Sequence, residues 1–268
     1  MDRKMPFSAQ QKNMTIYVCI KHVPDSAATI TVTEKNRIDE KITFLINPYD
    51  EHALTEAARI RENASDTEVV AVCLGKPAAE ATLRSAMAMG ADRSILIETD
   101  QNHDSIFTAR ALAAAIRQDG RPWIVFTGKE SIDSEGMQTH FRLAANLSIP
   151  AATNVIEVQA TADEVQVACE RDPGTVDRIR MIPPCVLGAG KGLNTPKYPT
   201  FPDIMKARKK EVRRIGLGEL NIEPPAVTMT IEALTPAEER RTPKELTGSA
   251  AQIAERIVDI LKNEAKVI

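Results

Sequence analysis

Histidine and aromatic residues are scarce in this chain. Its 268 residues include four histidines, one tryptophan, three tyrosines and six phenylalanines. The histidines, at positions 22, 52, 103 and 140, are scattered, and none shows a metal-ligand spacing such as HxxxH. No GxSxG nucleophile motif occurs either. We therefore predict no metal site and no catalytic residue, since the chain offers no recognisable hydrolytic or group-transfer machinery.

Long apolar runs, paired cysteines and an excess of basic charge are also absent. No run reaches the roughly 18 apolar residues that a membrane span needs, so we expect no membrane insertion. Cys19, Cys73, Cys169 and Cys185 show no CxxC spacing, and buried thiols are the favoured interpretation. The net charge of -3 argues against nucleic acid as a partner of the whole protein.

The first 13 residues form a polar leader that we expect to be disordered. They lack the apolar core of a secretory signal, and they show no clear transit peptide. The expected location is the cytoplasm for a bacterial protein and the mitochondrial matrix for a eukaryotic one.

Strand and helix patterns alternate from Met14 to Pro150. Asn47 can cap a helix that begins at Pro48, and Gly90 and Gly120 stop two further helices. Repeated strand–helix units predict an α/β fold with a mostly parallel sheet and helices on both faces. The predicted strands are 16–20, 68–74, 94–98 and 123–127, and the predicted helices are 47–62, 78–89, 104–118 and 140–147.

The pattern changes after Pro150. Three short extended runs, 154–158, 164–169 and 176–181, predict antiparallel strands added to the sheet, and 184–187 is expected to be the final core strand. A basic run at 205–214 reads as helical. The expected domains are a nucleotide-binding α/β domain over 14–215 and a C-terminal arm over 216–268. The arm carries an alternating segment, 227–231, and an isoleucine stripe at 253, 257 and 260, which cover either a partner or their own domain.

The most informative segment is Gly128–Thr139, which we call the signature loop. It follows an apolar strand and precedes an amphipathic helix, so it lies at the carboxyl end of a parallel sheet, where open α/β folds bind ligands. Free N–H groups, a helix start and side-chain oxygens suit a phosphate and a ribose. The local chemistry alone fits an ordinary solvated connection equally well.

Five segments, taken in order, resemble the β (small) subunit of electron transfer flavoproteins. The resemblance covers about residues 14–215, while the C-terminal segment matches in placement only. The segments are Val18–Asp25, Asn47–Asp50, Ala86–Asp92, the signature loop, and Leu193–Lys210.

The resemblance implies a Rossmann-like adenine-nucleotide-binding domain in a heterodimer. The α subunit would hold most of the FAD, with Tyr49 near the flavin, and this chain would bury a structural AMP. The cofactor-binding residues that the family pattern implies are Cys19, Asn47, Pro48, Tyr49, Asp50, Leu74, Gly75, Gly128, Lys129, Ser131, Ile132, Asp133, Ser134, Gly136, Met137, Gln138 and Thr139.

The resemblance also implies an electron carrier rather than an enzyme. It would take electrons from acyl-CoA-type dehydrogenases, as in fatty acid oxidation, and pass them to a membrane-associated quinone-reducing oxidoreductase. Residues 198–210 would dock these partners, with Phe201 in place of the usual leucine anchor. The implied docking residues are Tyr198, Phe201, Ile204, Met205, Lys206, Arg208, Lys209 and Lys210.

Two alternatives remain. One branch of the family is electron-bifurcating and binds a second FAD in place of AMP. The loop ending Gln138–Thr139 favours the AMP type. Ser134–Met137, however, departs from the acidic, Asn-containing sequence that is usual in this loop. The other alternative is a stand-alone nucleotide-binding domain of the universal-stress type. The long arm and the 198–210 segment argue against it, because a lone sensor needs neither.

Overall fold

The computed structural model describes residues 14–34, 36–64, 66–172, 174–223, 230–236, 243 and 245–268. The expected leader and most of the expected strand at 227–231 lie outside these residues. The chain divides into two compact units, 1–30 with 39–231, and 31–38 with 232–268. None of the described helices is long and apolar enough to cross a membrane.

A nine-stranded sheet forms the centre of the first unit, and its strands run in the order β11-β10-β9-β12-β8-β1-β6-β7-β13. The pairs from β9 through β12, β8, β1, β6 and β7 to β13 are parallel, while β10 is antiparallel to both β9 and β11. Its strands are β1 (Met14–Cys19), β6 (Thr67–Gly75), β7 (Arg93–Glu98), β8 (Ile124–Gly128), β9 (Ala151–Ala160), β10 (Val165–Glu170), β11 (Val176–Met181), β12 (Cys185–Ala189) and β13 (Val212–Gly216). Between β1 and β6 the chain also forms a short antiparallel pair, β2 (His22–Pro24) with β5 (Phe44–Ile46).

Helices cover both faces of this sheet, which confirms the predicted fold class. Alternate residues of β1 point to opposite faces: Ile16 and Val18 join one hydrophobic cluster, and Tyr17 and Cys19 join the other. The first cluster is completed by α1 and α2, and the second by α3 and α4. The helices are α1 (Pro48–Asn63), α2 (Glu80–Met89), α3 (Ser105–Asp119), α4 (Thr139–Leu147) and α5 (Phe201–Ala207).

Local sequence explains where these elements begin and end. Residues Val69–Cys73 of β6 are fully buried, as a central strand covered on both faces requires. The side chain of Asp104 accepts a hydrogen bond from the N–H of Phe107 and so caps α3. Helix α2 ends at Gly90, whose φ of 145° favours glycine; an added Cβ would also lie 2.8 Å from the Cβ of Ala58.

The structure corrects the sequence interpretation after residue 190. The basic run was expected to be one helix over 205–214, and β12 was expected to be the last core strand. Instead α5 ends at Ala207, and β13 then adds parallel to β7. The one deeply buried residue of β13 is Ile215, which directly follows two arginines, so the charged residues hide the strand pattern.

The second unit contains a short hairpin and a helix. The hairpin pairs β3 (Val32–Thr33) with β4 (Arg37–Ile38). Helix α6 (Ala250–Asp259) continues into a π-helical turn, Ile260–Glu264, and Ser249 caps it by accepting from the N–H of Gln252. No residue of α6 is buried within the described part of the chain.

Candidate functional site

The candidate site lies where the strand order of the sheet reverses. From β1 the chain adds β6 and β7 on one side, and then returns across β1 to add β8 on its other side. Such a switch point leaves a crevice at the carboxyl ends of the two strands, where open α/β sheets bind ligands. The signature loop follows β8 and Lys21 follows β1, so both lie at this crevice.

Asp50 joins the three chain segments that meet there. One carboxylate oxygen accepts from the N–H of Lys21 at 2.7 Å, and the other accepts from the N–H of Gly128 at 2.8 Å and the amide of Asn47 at 3.0 Å. Asp50 is only 4% exposed, and this burial raises its pKa to about 7, although the three hydrogen bonds act in the opposite direction. Its carboxylate therefore holds the start of α1 to β1 and β8.

Asn47 anchors the signature loop instead of capping α1. The sequence predicted a side-chain cap, but the structure shows no such bond at the start of this helix. Its amide donates to the carbonyl of Glu130 at 2.8 Å, and its oxygen accepts from the N–H of Ile132 at 3.2 Å. The side chain of Asn47 thus does not cap α1 but makes two hydrogen bonds with a loop about eighty residues away in sequence.

Lys21 is a site residue that the sequence analysis missed. Its ammonium donates to Asp133 at 2.6 Å, Ser131 at 3.2 Å and Ser134 at 3.3 Å. These side chains were expected to meet a ligand, but here they bind Lys21. The signal that could have identified Lys21 is its position two residues after a central parallel strand, opposite the loop.

The outer half of the loop presents backbone donors to solvent. Residues 133–138 are exposed, and Glu135 and Met137 adopt the left-handed region with φ of 46° and 50°. Within the described structure, no acceptor takes the N–H groups of Gly136, Met137 or Gln138. Helix α4 then begins at Thr139, so the positive end of its dipole directly follows these N–H groups. These groups fit a phosphate, because alternating backbone conformations at a helix start form an anion-binding concavity.

The inner residues of the predicted cofactor set line the same edge of the sheet. Cys19 ends β1, and Leu74 and Gly75 end the neighbouring strand β6. Burial raises the pKa of the Cys19 thiol, so it packs as a neutral group. Gly128 is required by close approach: an added Cβ would lie 2.5 Å from a carboxylate oxygen of Asp50. These residues shape the floor of the crevice, while the loop supplies its donors.

Comparison with known proteins shows which family this chain belongs to. A family model described as the electron transfer flavoprotein domain matches residues 36–220. The chain belongs to the electron transfer flavoprotein family. A relative named electron transfer flavoprotein subunit beta, from Bacillus subtilis, is 32% identical over 95% of this chain and 100% of its own length. The mitochondrial electron transfer flavoprotein subunit beta of Arabidopsis thaliana is 33% identical over the same shares. The electron transfer flavoprotein subunit beta of Bos taurus is 30% identical over 93% of this chain and 97% of its own length.

Tyr49 of α1 lies beside Lys129 of the signature loop in this member of the electron transfer flavoprotein family. The ammonium of Lys129 lies 5.3 Å from the centre of the Tyr49 ring and 3.3 Å from the carboxylate of Glu130. Partial burial and the acceptor Glu130 raise the pKa of the Tyr49 hydroxyl. The phenol therefore stays neutral and keeps its proton at neutral pH. Pro48 occupies the first turn of α1, as the sequence predicted.

The predicted docking residues surround α5, and most of them face solvent. Phe201 is 74% exposed and Tyr198 is 76% exposed, while Ile204 and Met205 are about 40% exposed. The cations Lys206, Arg208 and Lys209 are exposed as well. Lys210 differs, because its ammonium donates to the carbonyls of Met87 and Ala91 at 3.0 and 2.6 Å. The ammonium of Lys210 therefore binds backbone carbonyls of this chain instead of facing solvent.

His140 is a second residue that the sequence did not single out. It lies in the first turn of α4, directly after the loop, and is 1% exposed. Its Nε2 has no hydrogen-bond partner among the described residues, and burial lowers its pKa to about 4. A Cβ added at Gly188 would lie 3.3 Å from its ring, so β12 packs closely against it. His140 is a neutral core residue beneath the loop.

Proposed function

We propose that this chain binds AMP with its signature loop as the small subunit of a heterodimeric electron carrier. The observation that carries the proposal is the row of open N–H groups at Gly136–Gln138, directly before the start of α4 at the switch point of the sheet. A phosphate monoester suits these donors because it is a compact anion with several acceptor oxygens. The crevice floor at Cys19, Leu74 and Gly75 is apolar and suits an adenine ring.

The other subunit of the carrier is the electron transfer flavoprotein α subunit. The relatives are named subunit beta, which implies a larger assembly. We assign most of the FAD to that partner; bound FAD accepts and releases the electrons. Tyr49 of this chain lies beside Lys129 of the loop, where the two side chains can border the flavin and orient it. We assign no bond-breaking step to this chain itself.

The C-terminal arm is the part of the chain that we assign to the α subunit. Ile257 and Val258 of α6 are 44% and 53% exposed, and an apolar helix face of this kind gains stability only when another surface covers it. Because the relatives are named subunit beta, we assign this face to an α subunit. Each side chain is already about half covered, so covering the remainder contributes about 1 kcal/mol.

Docking of redox partners is assigned to the exposed residues around α5. Phe201 offers one large apolar anchor, and Lys206, Arg208 and Lys209 offer positive charge around it. An anchor with a charged rim suits a short-lived electron-transfer complex, because the charges raise the encounter rate while the interface stays small. We propose acyl-CoA-type dehydrogenases as donors and a quinone-reducing oxidoreductase as acceptor. The compartment would be the bacterial cytoplasm or the mitochondrial matrix.

Two asparagines at opposite ends of α1 provide the test of AMP binding. Asn47→Ala removes the contacts that hold the signature loop, whereas Asn63→Ala removes only a bond to the carbonyl of Arg59 within the same helix. Equilibrium dialysis of radiolabelled AMP against nucleotide-free heterodimer should show at least about tenfold weaker binding for Asn47→Ala, from the loss of two hydrogen bonds. Asn63→Ala should bind like the unaltered protein. Equal AMP affinities for all three proteins would contradict the assignment.

A further inference from the structure

Helix α5 has little packing of its own to hold it in place. It contains seven residues, and only Ala207 is buried, at 1% exposure. Isolated helices of this length are unstable in water, because one or two turns do not offset the cost of nucleation. Some other set of contacts must fix its orientation.

Arg84 of α2 supplies contacts to the end of this helix. One guanidinium nitrogen donates to the carbonyls of Ala207 at 3.1 Å and Lys210 at 2.6 Å, and it lies 3.4 Å from that of Arg208. The last carbonyls of a helix lack partners within the helix, and a cation there also favours the negative end of the dipole. The guanidinium is itself oriented by Glu80, one turn earlier, at 2.9 and 3.2 Å.

Lys210 makes the opposite contact, from the α5 side to the end of α2. Its ammonium donates to the carbonyls of Met87, in the last turn of α2, and Ala91, just beyond it. The end of each helix therefore receives a cation from the other side: Arg84 of α2 reaches the end of α5, and Lys210, in the turn that follows α5, reaches the end of α2. Arg84 is about 30% exposed, so these bonds are partly shielded from water.

We propose that Arg84 and Lys210 are positioning residues that form a reciprocal clasp between α2 and α5 and set the docking helix for its redox partner. The inference rests on the proposed docking function of α5. Fixing the helix before an encounter holds Phe201 and the basic residues in the binding arrangement, so less conformational freedom is lost when the partner binds. The clasp explains why Lys210 faces inward while Lys206 and Lys209 remain exposed.

The test compares Arg84→Gln with Arg61→Gln in the heterodimer. Arg61 is a matched control, because its guanidinium donates to the carbonyl of Gly90, at the same end of α2, and to Asp92, but not to α5. Hydrogen exchange of peptides covering 201–207 should be about tenfold faster in Arg84→Gln, as expected for loss of a charged hydrogen bond. Arg61→Gln should leave exchange in this segment unchanged.

A kinetic measurement separates positioning from general structural damage. With an acyl-CoA dehydrogenase and its substrate as donor, Arg84→Gln should raise the KM for the carrier about tenfold, while kcat and flavin content stay the same. Arg84→Lys should recover part of the loss, because an ammonium can reach some of the carbonyls. Lys210→Met, which keeps the aliphatic stem, should reproduce the effect and serves if Arg84→Gln does not assemble.

Three possible failures are distinguishable. Unchanged exchange over 201–207 in both Arg84→Gln and Lys210→Met would overturn the clasp. Faster exchange with an unchanged KM would instead keep the clasp and overturn the assignment of α5 as the docking site. A rise in KM that also occurs in Arg61→Gln would show that any damage to the end of α2 has the same effect, and would overturn the specific role of Arg84.

Discussion

Asp50→Asn is the substitution that most directly tests how the site is held together. Its carboxylate accepts from Lys21, Gly128 and Asn47 through both oxygens, whereas an asparagine has one acceptor oxygen and one donor group. If the oxygen keeps the bonds to Gly128 and Asn47, the new NH₂ group faces the N–H of Lys21. One hydrogen bond to a charged acceptor is then lost, and two donors are brought together.

The expected cost is about 2 kcal/mol, because hydrogen bonds to charged groups contribute about 1.5–3 kcal/mol and removal of the buried charge offsets part of the loss. In a protein of this size that corresponds to a fall in Tm of about 5 °C. The measurement should be made at pH 8, since the pKa of Asp50 is about 7 and the carboxylate is then ionised. Tm by calorimetry and AMP content should fall together.

Glu51→Gln is the matched control for this substitution. Glu51 lies in the same helical turn and is only half-buried, and the same carboxylate-to-amide change there removes none of the three bonds to Asp50. Its Tm should fall by less than about 1 °C, as for an ordinary surface change. If Asp50→Asn behaved like Glu51→Gln in both Tm and AMP content, Asp50 would not be the residue that joins the three segments.

Three further predictions concern other parts of the molecule. Burial lowers the pKa of His140 to about 4, whereas the pKa in the unfolded chain is near 6.5, so the folded protein loses stability as the pH falls from 6.5 towards 4. The Tm of His140→Gln should therefore depend less on pH in that range than the Tm of the unaltered protein. Parallel curves of Tm against pH would contradict this. Phe201→Ala should slow reduction by the dehydrogenase at low carrier concentration without changing flavin or AMP content; loss of nucleotide or unfolding would place Phe201 in the core instead. The chain expressed without an α subunit should aggregate in light scattering because the face around Ile257 and Val258 is uncovered, and a monodisperse, cooperatively melting monomer would count against the arm as an intersubunit element.

The parallel core was predictable because its signals are local. Apolar runs such as that of β6 mark central strands, and Gly90 and Asp104 mark helix ends through backbone conformation and capping. The position of the signature loop between β8 and α4 follows from the same pattern. Turn signals also separate the extended runs that form β9, β10 and β11, at residues 161–163 and 171–175.

The side-chain partners inside the site were not predictable, because they depend on contacts between distant segments. Asn47 has the residue type and position of a helix cap, yet its amide is used by a loop that tertiary folding brings beside it. Lys21 and Lys210 look like ordinary surface cations in sequence. Only the packing of β1 beside β8, and of α5 beside α2, shows what their ammonium groups bind. The two arginines of β13 likewise hid its strand pattern in the sequence.

The nucleotides released from the purified heterodimer test the central claim most directly. The protein should be co-purified with its α subunit, denatured, and the released small molecules identified and quantified by mass spectrometry. We expect one AMP and one FAD per heterodimer, with the AMP lost selectively in Asn47→Ala. Two FAD and no AMP would contradict it, and would assign the crevice at the signature loop to the second flavin of a bifurcating carrier.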